Sequence, residues 1–189
     1  LREAGELARA HGLGYHLDGA RLFNAAVACS VPAREIARHF DSVSVCLSKG
    51  LGAPVGSVLV GTQALIDKAR RWRKVCGGGW RQAGMLAAAC LHALDHHVER
   101  LADDHARAAR LANALGAISG ITLLGQHTNM VFIDVPAERL RALDVHLREA
   151  GIRISIGYLP TLRLVTHLDV DDDDIGRTVE AFAAFFGAH

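Results

Sequence analysis

Leu13-Gly14-Tyr15-His16-Leu17-Asp18-Gly19-Ala20-Arg21 and, one crossover later, Ser42-Val43-Ser44-Val45-Cys46-Leu47-Ser48-Lys49-Gly50 decide how this chain reads. Leu13 to Leu17 is a short apolar run bounded by Gly and Asp, the pattern of a buried strand. The Val-rich run Ser42 to Leu47 predicts the next strand. Between them Ala20 to Ala28 and Pro32 to Phe40 carry helical patterns. Strand, helix and strand within about 30 residues make a parallel crossover unit. Asp18 and Lys49 are therefore expected at the carboxyl ends of neighbouring parallel strands, where open α/β sheets hold their ligands.

Composition singles out Lys49 further. Of the 21 basic residues only Lys49, Lys68 and Lys74 are lysines, and the last two sit among charged neighbours as on an ordinary helix face. An amine and a carboxylate on adjacent strand ends are what pyridoxal phosphate asks of a protein, the amine for a Schiff base and the carboxylate for the pyridinium nitrogen. Burial beside an apolar strand would lower the lysine pKa in the direction that attack requires. Gly50, Gly52 and Gly56 would leave space for a bulky cofactor beside the backbone. Each residue also has a plainer reading. Lys49 fits an exposed lysine in a glycine turn, and Asp18 fits a cap for the helix beginning near Ala20. Arg21 fits either a helix face or a guanidinium turned toward a phenolate or carboxylate in the same site.

With 189 residues, half of them apolar, the chain can bury a substantial core as one large domain or two small ones. A net charge of +1 with mixed signs argues against nucleic acid or an anionic membrane as partner and favours a small molecule or a protein. No run reaches the roughly 18 apolar residues of a membrane span. Cys29, Cys46, Cys76 and Cys90 lack metal-ligand spacing and are expected as buried, reduced thiols, which fits a cytoplasmic location. Leu1 to His11 opens directly on a helical pattern without Met, so the chain is expected to be a piece of a longer one.

Further along, Ser57 to Val60 predicts a third strand, and Thr62 an N-cap for a helix reaching Val75, broken by Cys76-Gly77-Gly78-Gly79. From Trp80 to about Ile118 one long or two consecutive helices are expected; Met85 to Leu94 is apolar nearly all round and predicts burial. Beyond Gly120, strands are expected at Asn129 to Val135, Ile152 to Ile156 and Leu162 to Thr166, with helices at Pro136 to Ala150 and Asp171 to Phe186. The change of pattern places a boundary between about Ala112 and Gly125 and predicts a small α+β unit after it.

The remaining motifs divide less sharply. Gly77-Gly78-Gly79 alone is a weak phosphate-binding signal. Arg163 inside Leu162-Arg163-Leu164-Val165 is either an edge-strand arginine or a carboxylate binder. His92, His96 and His97 share a helix face, but no acid or Cys completes a ligand set, so solvent-facing histidines are expected. Asp171 to Asp174 lack the calcium-loop pattern and fit helix capping.

HLDGARLFNAA, SVSVCLSKGLGAPVGSVLVG, RRWRKVCGGGWRQAG, TNMVF and LRLVTHLD together, in order over essentially the whole chain, resemble the low-specificity L-threonine aldolases of aspartate aminotransferase-like fold. The resemblance implies an α/β chain that is the C-terminal part of a fold-type I pyridoxal phosphate enzyme. Residues 1–118 would belong to a parallel-rich, truncated large cofactor-binding domain, and 119–189 to a small C-terminal α+β domain. It implies the cofactor on Lys49, Asp18 on the ring nitrogen, and Arg21 near the ring oxygen and the substrate carboxylate. Arg163 would bind that carboxylate, with Lys74 and Arg81 approaching the site of an adjacent subunit in a homodimer or homotetramer. The reaction implied is cleavage of L-threonine or L-allo-threonine to glycine and acetaldehyde without added metal. The histidine that stacks on the cofactor and the phosphate cradle would lie upstream of this region. Two alternatives accompany it: another pyridoxal phosphate lyase, eliminating at the β-carbon or cleaving phenylserine, and a non-catalytic assembly module that keeps the fold.

Overall fold

Asp18 lies inside a strand rather than after one. In the computed structural model, which describes residues 1–156 and 161–187, β1 spans His16–Gly19, displaced toward the carboxyl side of the expected Leu13 to Leu17. Leu13 itself is exposed, and the backbone N–H of Tyr15 is held by the Asp41 carboxylate at 2.7 Å, so the chain enters the sheet only after Tyr15. α1 (Arg2–Ala10) precedes β1, and α2 (Leu22–Ala28) and α3 (Ala33–Ala37) lead to β2 (Ser42–Cys46). β1 and β2 pair in parallel with Asp18 opposite Ser44, as the crossover unit requires.

β3 (Ser57–Gly61) pairs with β2 in the antiparallel sense, giving the sheet order β1-β2-β3. The short loop from β2 to β3 dictates that sense, because a parallel return needs a crossover of a dozen residues or more. Thr62 caps α4 (Gln63–Val75), its hydroxyl accepting the Leu65 N–H at 3.4 Å. α5 (Gly84–His96) follows the glycine break. Leu22, Val43, Val45, Leu47, Leu51, Ala53, Ala93 and Leu101 form the core of this first compact unit, Leu1–Leu101.

Two expectations for this unit fail. α5 is not buried: Met85 is 86 % exposed and Leu91 61 %, and Ala93 is its one buried residue. A helix apolar on every side needs neighbours on every side, and a three-stranded sheet offers it one face. The cysteines are unpaired, as expected, but Cys29 and Cys76 are exposed and Cys46 and Cys90 only half-buried. Cys29 and Cys76 stand at the C-caps of α2 and α4, where the chain leaves the packed face.

The second unit, Ala102–His189, takes nearly all of α6 (Leu101–Gly116), then β4 (Thr122–His127), β5 (Met130–Asp134), a 3-10 turn at Ala137–Arg139, α7 (Leu140–Glu149), β6 (Thr161–Val165) and α8 (Asp172–Gly187). The division falls earlier than the expected 118/119. Ala108, Leu111, Ala112 and Leu115 of α6 bury their faces in the core that Val131, Ile133, Leu143, Leu162 and Phe182 build, so the helix packs with the strands that follow it.

The sheet is antiparallel in the order β4-β5-β6. β4 adds a strand to those expected from the sequence, since its register shifts between Leu123 and Gly125 and breaks the alternation that marks a strand. Ile152 to Ile156, expected as a strand, forms none. Ile152, Ile154 and Ile156 pack half-buried against the core with Arg153 and Ser155 turned outward, so the alternation is real but serves packing without ladder hydrogen bonds.

Asp171 and Asp174 cap α8 reciprocally, as expected. The Asp174 N–H donates to Asp171 Oδ1 at 2.8 Å and the Asp171 N–H to Asp174 Oδ2 at 3.0 Å. The bond from the Asp174 backbone holds the Asp171 carboxyl below the usual range. A carboxyl whose pKa falls on folding stabilises the fold above its unfolded pKa and loses that contribution as pH drops through the folded value. Asp171→Ala is thus expected to lower the thermal midpoint at neutral pH and to match the parent in acid, as a pH series of melting curves would read.

Candidate active site

The first unit presents its chemistry at one end of one strand pair. Asp18 stands on β1 one residue before its end, and β2 ends at Cys46 with Lys49 three residues beyond. Because the strands run parallel, the carboxylate and the amine emerge from the same edge of the sheet. Arg21 follows two residues after β1 as the N-cap residue of α2, its carbonyl accepting the Ala25 N–H at 3.1 Å.

Asp18 is exposed, and its Oδ1 accepts the Ala20 N–H at 3.2 Å. This is an Asx turn leading out of the strand, not the expected helix cap, since α2 begins only at Leu22.

Lys49 is exposed rather than buried beside the strand, because with Ser48 it rides on the outer side of a loop whose Leu47, Gly50, Leu51 and Ala53 turn inward. The Gly52 N–H donates to the Lys49 carbonyl at 2.8 Å and the Ala53 N–H to the Leu47 carbonyl at 3.0 Å, so Leu47 to Ala53 closes on itself. The glycines do something other than make room for a cofactor. A Cβ on Gly50 would meet Leu101 Cδ2 at 2.9 Å and Asn24 Oδ1 at 3.2 Å, so the backbone here faces the core. Gly52 has φ +72°, a conformation that strains other residues.

Two residues that shape this loop stand outside the site read from the sequence. Asn24 is 3 % exposed and packs under Gly50; its signal is a lone amide in the apolar run Leu22-Phe23-Asn24-Ala25-Ala26-Val27. His97, expected in solvent, is half-buried and bonded through Nδ1 to the Leu51 carbonyl at 2.6 Å. His92 and His96 are exposed, as expected, with ring centroids 4.5 Å apart.

Lys74 lies in the last turn of α4 and folds back over the glycine run, its Nζ 2.9 Å from the place a Gly79 Cβ would take. Arg81 is exposed beyond that run. Arg163 belongs to the second unit, exposed on the edge strand β6 opposite Phe132. It lines a cleft of about 650 Å³ within that unit, together with Arg153, Ser155, His167 and Arg177. A guanidinium-lined cleft suits a carboxylate.

The donor set fits pyridoxal phosphate. A lysine amine and a carboxylate leave one sheet edge, and the carboxylate keeps an oxygen beyond the one its Asx turn engages. The parallel β1-β2 pair, the lysine just beyond its end and the separate β4-β5-β6 unit fit an α/β chain of the fold-type I class, although β3 makes the described part of the first sheet mixed rather than parallel-rich.

Comparison with known proteins carries this to a family. A profile of the beta-eliminating lyases matches residues 1–138, and the chain belongs to that family. It is 45 % identical over 185 residues to the low specificity L-threonine aldolase of Escherichia coli strain K12, covering 98 % of this chain and 55 % of the relative. The low-specificity L-threonine aldolase 1 of Arabidopsis thaliana is 44 % identical over 188 residues, covering 95 % and 52 %. The chain thus spans about half the length of the curated relatives it matches. Among solved structures, a threonine aldolase of Leishmania major superposes with a TM-score of 0.76 at 22 % identity, over 98 % of this chain and 55 % of that one, which shows the fold.

Proposed function

We propose that this chain is the Lys49-bearing part of a pyridoxal phosphate-dependent carbon–carbon lyase that cleaves L-threonine or L-allo-threonine to glycine and acetaldehyde. The observation that carries the reading is the parallel pairing of β1 with β2, which sends Asp18 and Lys49 out of one sheet edge. The names of the relatives support the substrate class. A cytoplasmic, homo-oligomeric enzyme of amino-acid breakdown, with Lys74 and Arg81 reaching a neighbouring subunit's site, completes the proposal.

Bound pyridoxal phosphate supplies an aldehyde for a lysine amine and an electron sink for the bond broken at the substrate α-carbon. Lys49 would provide that amine. Asp18 holds a proton on the ring nitrogen, and Arg21 steadies the ring oxygen or the substrate carboxylate. Arg163, in the cleft of the second unit, is proposed to bind a substrate carboxylate. A charge-assisted hydrogen bond of this kind contributes about 1.5–3 kcal/mol. Arg163→Ala is therefore expected to raise KM by at least about tenfold with a smaller effect on kcat, read from steady-state kinetics.

The decisive experiment adds pyridoxal phosphate to the purified protein, reduces with borohydride, maps the labelled peptide and assays the products. Label on Lys49 with acetaldehyde and glycine supports the proposal. Pyruvate and ammonia in their place would make the protein a β-eliminating enzyme, and absence of label on Lys49 would make it a module without this chemistry.

A further inference from the structure

The loop that carries Lys49 is tied to α5 at two points. His97 stands at the C-cap of α5, and its Nδ1 lies 2.6 Å from the Leu51 carbonyl. A carbonyl only accepts, so Nδ1 carries the proton and donates. One helical stretch earlier, the Cys90 thiol donates to the Val55 carbonyl at 3.4 Å. Between them Ala93, 1 % exposed, packs into the core of the unit. Residues 90, 93 or 94, and 97 share one helix face, so one stripe of α5 meets both ends of the segment Leu51 to Val55.

Leu51 is the third residue of the turn that Gly52 closes on the Lys49 carbonyl. Its carbonyl thus lies inside that turn, two residues after Lys49, where the His97 side chain at the C-cap of α5 grips the backbone. The lysine side chain is exposed and long, so what the protein sets is the position of its Cα and the direction in which it leaves the loop.

We propose that His97 is a positioning residue for Lys49, holding the turn from Lys49 to Gly52 through the Leu51 carbonyl so that the amine is presented at a fixed place on the sheet edge. This rests on the assignment of Lys49 as the cofactor-binding amine. His97→Leu keeps bulk and removes the donor, whereas the amide nitrogen of His97→Asn stands close to where Nδ1 was and donates in its place. His97→Ser, too short to reach, substitutes for the leucine variant if that does not fold.

The test follows, in the purified protein with added pyridoxal phosphate, the rate at which borohydride-reducible label appears on Lys49, and separately the hydrogen exchange of the Gly52 and Ala53 amides. His97→Leu is expected to slow labelling of Lys49 about tenfold, the scale of a small misplacement of a reacting group, while any adventitious label on Lys68 and Lys74 is unchanged. It is also expected to speed exchange at Gly52 and Ala53, with His97→Asn restoring both. Wild-type rates in the leucine or serine variant overturn the inference, as does an asparagine variant no better than leucine, which would assign the effect to shape. If the wild-type protein takes no label on Lys49, the cofactor reading itself fails and this inference with it; if the wild type labels and the variants match it, the inference fails alone.

Discussion

Lys49→Ala is expected to abolish the borohydride-fixed label and to lower threonine cleavage by on the order of 10⁴-fold or more, the upper range for loss of a positioned proton-handling group. The size of the effect follows from the composition. Only Lys68 and Lys74 remain, one in the middle of α4 and one in its last turn, and neither is on the loop that leaves β2. The substitution should also leave stability nearly unchanged, because the Lys49 side chain is exposed while its backbone carbonyl, which holds Gly52, is retained. A variant that keeps the label on Lys74 would move the chemistry to the glycine run, where Lys74 Nζ folds over Gly79.

What the sequence could reveal here depended on whether the signal was local. The Thr62 cap and the Asp171 to Asp174 cap announce themselves within a few residues and stand in the structure as read; the parallel pairing of β1 with β2 does too, though β1 begins three residues later than its apolar run and takes Asp18 into the strand. The errors arose where the outcome depended on distant partners. An all-apolar α5 reads as buried because the sequence shows its demand for cover but not how much cover a three-stranded sheet supplies. Ile152 to Ile156 alternates because one side faces a core, and alternation alone does not show whether a neighbouring strand will pair. The glycines after Lys49 suggested space for a ligand, whereas Gly50 approaches Leu101 and Asn24, residues far from it in sequence. His97 was hidden for the same reason, its partner Leu51 lying 46 residues away.

The carboxylate is the other large effect, and its two roles separate cleanly. Asp18 both closes an Asx turn onto the Ala20 N–H and, in the proposed reaction, keeps the ring nitrogen protonated by its charge. Asp18→Asn retains an oxygen that can accept from Ala20, so the turn survives, but it removes the negative charge and with it the partner of a pyridinium proton. Asp18→Ala removes both. Activity is therefore expected to fall by about 10²- to 10³-fold in both variants, the scale for deleting one preorganised electrostatic contact. The thermal midpoint should drop only in the alanine variant. An asparagine variant with normal turnover would reduce Asp18 to a turn residue. Paired loss of activity and stability in both variants would point to misfolding of the β1 end. Only the split outcome, with charge lost and turn kept, assigns the carboxylate to the cofactor ring, and it does so without relying on any contact that the free protein lacks.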